Sequence, residues 1–290
     1  MIKNAIEFEA RCDNLLESRG ITGHTAADRF CSDFKAYMFY LDAKNIGNAE
    51  YTLSLLEDDN NLTDSNILNT NFRNTITDLI SPSLKSDELF ISIYGTLLDN
   101  KGKGVGVGEL ALPLILSNYR FSNESDGVFG DGKKVEIKKN GASLKPVKTG
   151  LTEKGLVDRL NTKYFNSTVP GMRDAKKFNA HIAEIKDPTV YAEYFKELYV
   201  GCDTTSLAKN VQAVYNDAEK FNTEVGKFAL REYQRVDGWN NIIYIDADKQ
   251  VVVNVADTSD IEGLGMKFSP KLARKADTQA IADGYVNVRI

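Results

Sequence analysis

The sequence predicts an α/β protein: a mixed central sheet flanked by helices, with an N-terminal helical layer and a helical insertion. Three observations predict it. Short β-branched and aromatic runs meet at turn residues within 119–139 and 242–255, the pattern of hairpins. Apolar residues recur every three or four positions in the first 80 residues and again over 152–232, the pattern of helix faces. No internal repeat, low-complexity tract or clear linker divides the chain, so these elements belong to one architecture. Its expected parts are a helical layer over 1–88 and an α/β core over 89–290. Sheet strands come from 90–146 and 240–290, and the insertion spans about 150–235.

Taken in order, residues 3–18 carry Ala5, Ile6, Phe8, Cys12, Leu15 and Leu16 near helical spacing, and Gly20 stops them. A second helix runs from Ala26 to Ala43 behind a Thr25 cap, with Phe30, Phe34, Met38 and Leu41 on one face. A third covers Glu50 to Glu57. The polar stretch from Asp58 is a loop, and residues 65–80 read as another helix ending before Ser81-Pro82. Leu89 to Leu98 is apolar enough for a strand or a helix. The glycines of Asn100-Lys-Gly-Lys-Gly-Val-Gly-Val-Gly-Glu109 fit neither of the phosphate-loop spacings, so they suit close backbone approach instead. Leu110 to Leu116 is apolar and buried, with Pro113 acceptable only in a first helical turn or at a kink.

Past the hairpin region, helices are expected from Thr152 and over Asp174–Ile185, from Pro188 and over Thr205–Tyr233. The β pattern returns at Ile242, with turn residues at 246–249. Asp246 and Asp248 lack the Gly and terminal Glu of a calcium loop. Leu264–Phe268 and Tyr285–Ile290 are strand expectations, with a helix over Pro270–Asp283 between them; its Arg274 and Lys275 suit phosphate or solvent.

Composition bounds the chemistry. With 290 residues, 42% of them hydrophobic, the chain can bury a sizeable core. Its formal net charge of −5 means that any nucleic-acid contact must use a local basic patch. Cys12, Cys31 and Cys202 are odd in number and widely spaced, so neither a disulfide framework nor a zinc knuckle is indicated. Only two histidines occur, His24 and His181, which argues against His-based nucleases and Ser-His-Asp hydrolysis. Acidic residues stand where a signal peptide needs an apolar run, and no stretch approaches a membrane span, so no membrane association is expected.

The chemistry concentrates in Asp126-Gly-Val-Phe-Gly-Asp-Gly-Lys-Lys-Val-Glu136-Ile-Lys138. Asp131-Gly132 is a strong turn signal. A two-residue loop there places Asp126 opposite Ile137. A three-residue loop, Gly130-Asp131-Gly132 with Gly132 left-handed, places Asp126 opposite Glu136. The second gives the better faces. Asp126, Val128, Lys134, Glu136 and Lys138 share one, and Gly127, Phe129, Val135 and Ile137 form an apolar other. Facing carboxylates repel, and a divalent cation between them removes that penalty. Lys138 points the same way, suited to a phosphate charge or an attacking water. Asp131 competes as the motif Asp, but a turn explains it. Glu109 precedes this hairpin at the edge of a buried segment, where a first-turn Glu also favours a helix dipole.

Asp126, Glu136 and Lys138, with Ile137 as the apolar residue between the last two, resemble the PD-(D/E)XK, or restriction-endonuclease-like, nuclease superfamily. Gly106-Val-Gly108-Glu109-Leu, followed by Glu136-Ile-Lys-Lys-Asn-Gly-Ala-Ser-Leu144, is most similar to its bacteriophage-encoded members. The resemblance covers roughly residues 104–146, with Ser125 where the family usually has Pro. It implies a restriction-endonuclease-like sheet and Mg²⁺ held by Asp126, Glu136 and the Ile137 carbonyl. Glu109 would bind directly or through water, and Lys138 would position water or neutralise the phosphate. The implied activity is DNA phosphodiester hydrolysis. Lys139, Lys145 and Lys148, among small residues, are the expected DNA-backbone contacts. The resemblance also implies an alternative: a phage virion or assembly protein, of the head-completion or neck kind, keeping the nuclease fold for protein contacts. The expected location is the host-cell cytoplasm or the virion. A module that binds DNA without cutting it is a third expectation.

Overall fold

A computed structural model describes residues 2–23, 25–99, 105–144, 192, 194–196, 198–199, 201–274 and 281–290. Helices fully within the described residues are α1 (Ala5–Ser18), α2 (Thr25–Ala43), α3 (Ala49–Glu57), α4 (Pro82–Lys85), α5 (Glu88–Leu98), α6 (Thr205–Val214) and α7 (Ala218–Asp237). The strands are β1 (Thr63–Asp64), β2 (Phe72–Thr75), β3 (Leu116–Ser117), β4 (Tyr119–Ser122), β5 (Ser125–Phe129), β6 (Lys134–Lys139), β7 (Ser143–Leu144), β8 (Asn241–Asp246), β9 (Val251–Val255), β10 (Lys267–Arg274) and β11 (Ile281–Arg289). The protein is mixed α/β. Its chain forms two compact units: Met1–Lys139 with Asn240–Ala256, and Asn140–Trp239 with Asp257–Ile290.

The first unit holds a six-stranded mixed sheet in the order β2-β9-β8-β6-β5-β4. β6 and β8 are parallel and the other neighbours antiparallel. Val135, Ile137, Ile243, Ile245 and Val252 from one face of this sheet join the buried residues of α1–α5 in a single core. The helical spacings predict the buried faces: Phe8, Cys12, Leu15 and Leu16 on α1, and Phe30, Phe34, Met38 and Leu41 on α2. Asn4 and Asn48 start α1 and α3 by accepting the Glu7 and Tyr51 amides, which would otherwise lack partners. The ambiguous run at 89–98 is helix α5, because Asp87 caps it and accepts the Phe90 amide at 2.7 Å. The outer edge of β4 is closed by the loop after α1, where the Phe121 amide donates to the Arg19 carbonyl.

Several expectations change, among them the single helix over Thr205–Tyr233, which is broken between α6 and α7. Residues 65–80 are not one helix. Two 3-10 turns, Ser65–Asn69 and Ile76–Leu79, flank β2, which pairs with β9. Short polar side chains compete for the backbone here. Asp64 accepts the Asn66 amide, and Thr75 and Asp78 cap each other. The buried Asn241 and Asn254 amides then hold the Leu68 and Thr70 carbonyls. Residues 270–274 and 281–283 are likewise not helical: they belong to β10 and β11, which pair antiparallel, while 275–280, Lys275 included, lie outside the described residues. Pro270 is tolerated because β10 is an edge strand, where a missing amide costs no ladder bond. Finally, the C-terminal strands lie outside the central sheet. They form a separate three-stranded sheet, β10-β11-β7, in the second unit, while β2 completes the six-stranded one.

In the second unit α7 packs on β10, with Phe268 filling the space that a side chain at Gly226 would need. Asn222 exchanges two hydrogen bonds with the Phe268 backbone. Phe195, Tyr199 and Phe228 pack ring to ring, so the described part of the aromatic pattern is core rather than an exposed stripe. The helices expected at Thr152 and over Asp174–Ile185 lie outside the described residues, as do His24 and His181. Among the described residues no helix is long and apolar enough to cross a membrane.

Candidate functional site

The β5–β6 hairpin decides the site. Phe129 donates to the Lys133 carbonyl at 3.0 Å, and Gly132 donates to the Phe129 carbonyl at 2.9 Å. The loop is therefore the three-residue Gly130-Asp131-Gly132, and Gly132 takes φ +86°, which only glycine adopts readily. Gly127 faces Val135 and Val128 faces Lys134, and one further step sets Asp126 against Glu136. Asp131 stays in the turn, paired with Lys133.

Asp126 does more than face Glu136. Its Oδ2 accepts the Ile137 amide at 2.7 Å, replacing a backbone ladder bond at the end of the pairing. A strand residue turns its amide and carbonyl to the same edge, so the Ile137 carbonyl also leaves β6 on the Asp126 side. Glu136 is buried, and its Oε1 meets the Lys138 ammonium in an ion pair. Lys138 itself is about three-quarters buried, its side chain 24% exposed.

Glu109 reaches the same place from elsewhere in the chain. Its surroundings differ from the expected helix start. Residues 107–111 form turns, and Pro113 sits in a 3-10 turn, Leu112–Leu114. The Glu109 carboxylate folds back to accept the Gly106 amide at 2.7 Å. A side chain at 106 would come within 2.6 Å of that carboxylate, and one at 108 would strike Ile245. The described glycines of this loop thus seat Glu109 against the sheet. Residues 100–104 lie outside the described residues.

The electrostatics join these groups. Burial, then the Asp126 charge, pushes Glu109 up to about 8, against the opposing Gly106 amide and Lys138. Burial, then the Glu136 charge, pushes Asp126 up to about 7, against the Ile137 amide and Lys138. Each acid therefore feels the others, and Lys138 is the cation they share. Three carboxylates are hard oxygen donors, chemistry that fits Mg²⁺. Among the described residues, however, no three acidic, histidine or cysteine side chains close on one point as a formed ligand set. Their oxygens are turned to local partners: Gly106 N–H, Ile137 N–H and Lys138.

Two neighbours escape the sequence pattern. Tyr119 and Tyr244 are fully buried, and their hydroxyls have no hydrogen-bond partner among the described residues. Tyr244 lies beside Lys138 in the β6–β8 register, and burial, then the Glu136 charge, raises its pKa. Tyr119 leans over Gly127. Gly127 was the available signal, since a glycine inside a strand marks close approach of another group. Of the expected DNA contacts, Lys139 is exposed at the end of β6, and Lys145 and Lys148 lie outside the described residues. Comparison with protein-family models, curated proteins and solved structures gives no match.

Proposed function

We propose that the chain is a Mg²⁺-dependent DNA endonuclease with a restriction-endonuclease-like core. One observation carries this reading. Asp126 and Glu136 occupy facing positions of one hairpin, Lys138 follows on the same strand face, and Glu109 adds a third carboxylate from a distant segment. Crowding buried acids around one lysine lowers stability, and sites arranged for chemistry accept such a cost. The mixed sheet flanked by helices supports the fold assignment at a coarse level.

In this reading Asp126, Glu136 and the Ile137 carbonyl would hold the cation, with Glu109 as a further carboxylate toward it. Mg²⁺, when bound, supplies Lewis-acid activation of water and neutralisation of phosphate charge. The residues contribute the rest. Asp126 is held by the Ile137 amide and is hydrogen-bonded to the Glu136 side chain, so the two acids would turn together toward a ligand. Glu109 is fixed in the same way by Gly106. Lys138 neutralises Glu136 while no cation is there. Once Glu136 is engaged elsewhere, the ammonium is available for a phosphate oxygen or a water. Lys139, with Lys145 and Lys148, would contact the DNA backbone, the local basic patch that a net charge of −5 requires.

The test is incubation with linear and supercoiled DNA in Mg²⁺, alongside Glu136→Ala and Lys138→Ala. Cleavage reduced at least about 100-fold by both changes supports the reading. Cleavage that survives Glu136→Ala overturns it. A second reading, a phage virion or assembly protein that keeps this fold without turnover, is favoured by the Lys138–Glu136 ion pair and by the lack of a formed ligand set among the described residues. Its signature is no cleavage by the wild type together with co-purification in particles.

A further inference from the structure

We propose that the first unit carries a binding site for a phosphate group, in a cavity lined by Arg19 and Arg120. None of the acids around Lys138 lines this cavity, and the site does not depend on the Mg²⁺ reading.

The cavity holds about 480 Å³ between the end of α1, the turn after α3 and the β4–β5 ribbon, all within the first unit. Arg19 forms one wall, and only 7% of it is exposed. Its Nη2 donates to the Leu56 carbonyl at 3.1 Å and to Asp59 Oδ1 at 2.6 Å. Its Nε is buried and has no partner among the described residues. Closing the end of α3 explains Nη2 and leaves Nε unexplained. A buried, unpaired donor on a charged group lowers stability, so a purely structural clamp gains nothing from it. The backbone holds the residue in place. The Arg19 carbonyl accepts the Phe121 amide at 3.0 Å, and a side chain at Gly20 would strike the Phe121 carbonyl. The guanidinium is thus set at the cavity before any ligand arrives, which cuts the ordering cost of binding.

Arg120 supplies the second charge. It faces Val128 across the β4–β5 ladder, is exposed, and forms no ion pair among the described residues. The two acids in the wall are already engaged. Asp59 meets Arg19, and Glu57 takes bonds of 3.0 and 2.6 Å from Arg11, which also holds Glu50. Arg120 is therefore the cation that the wall leaves without a counter-charge. Asn118 adds an amide donor to the same wall, its carbonyl holding the Gly130 amide at 2.8 Å. Guanidinium donors fit phosphate and carboxylate oxygens alike. Two of them on one cavity favour the doubly charged group. The volume is that of a small-molecule site and leaves room for more than the bare ion.

Isothermal titration of the full chain with sodium phosphate tests this, with sodium acetate as the contrasting anion. The variants are Arg120→Ala, Asp59→Asn and Arg29→Ala. Arg29, on α2, does not line the cavity and controls for charge alone. Phosphate should bind the wild type more tightly than acetate does. Arg120 is exposed, so its removal spares the fold, and Arg120→Ala should weaken phosphate about 10-fold. Asp59→Asn keeps an acceptor for Nη2 and removes the competing charge, so it should tighten binding roughly 2- to 5-fold. Arg29→Ala should change nothing. Release of the bound phosphate by ribose 5-phosphate then assigns a small phosphorylated molecule, and release by a short oligodeoxynucleotide alone assigns a nucleic-acid backbone. No phosphate binding by the wild type overturns the inference. So does binding that Arg120→Ala leaves unchanged, binding that Arg29→Ala weakens as much, or acetate held as tightly as phosphate. DNA cleavage enters none of these results, so this site and the nuclease reading fail separately.

Discussion

The crowded acids should make the protein less stable as pH rises when no cation is bound. An unfolded Asp126 titrates near 3.8, and the folded one is pushed up to about 7 by burial and then by Glu136. Between those values the folded chain keeps a proton that the unfolded chain has released. The unfolded state then binds fewer protons, so stability falls with rising pH across that window. At about 1.4 kcal/mol per pH unit, Asp126 alone costs the folded state about 4 kcal/mol once ionised. Glu109, raised from 4.5 to about 8, extends the fall toward pH 8. The two contributions are not summed, because part of Glu109's rise is Asp126's charge. For a unit of this size, 4 kcal/mol corresponds to roughly 8–16 °C in Tm. The assay is thermal unfolding in EDTA from pH 5 to about 8.5, with and without excess Mg²⁺. Tm should fall through neutrality in EDTA, and Mg²⁺ should restore it increasingly as the acids ionise. Asp126→Asn should remove at least half of the slope. A Tm in EDTA that is flat or rises from pH 5 to 8 would refute the electrostatic account of the site.

Two substitutions separate packing from chemistry. Gly127→Ala drives a methyl group into the Tyr119 phenol, and should destabilise the protein by about 1–3 kcal/mol in urea unfolding. Asp87→Ala removes the cap of α5 and the carboxylate acceptor of the Thr52 hydroxyl at 3.0 Å, leaving that hydroxyl the Asn48 carbonyl at 3.2 Å. It should cost about 2–4 kcal/mol and leave Mg²⁺ affinity unchanged by titration, because it touches only helix packing.

The hairpin is the part of the site that the sequence determined by itself. Asp131-Gly132 and the alternation of apolar and charged residues on either side are local facts, and they fix the loop and hence the facing of Asp126 and Glu136. The helices α1, α2 and α3 were legible for the same reason, since a helix face repeats within a few residues. Glu109 was legible as a type and by its place before the hairpin. Its seating was not: the Gly106 amide and the closeness of Asp126 follow from how a turn packs on the sheet. Tyr119 read as an ordinary strand aromatic until β4 lay beside Gly127. The larger differences concern strand partners. Thr75 reads as helix until Val251 lies opposite it, and Pro270 reads as a helix start until β11 does. Turn and helix signals are set by neighbours along the chain. Pairing and burial depend on which segments come together in space, whether 176 positions apart, as Thr75 and Val251 are, or 16, as Pro270 and Val286 are, so only the tertiary structure decided which strands joined the sheet and which buried groups met.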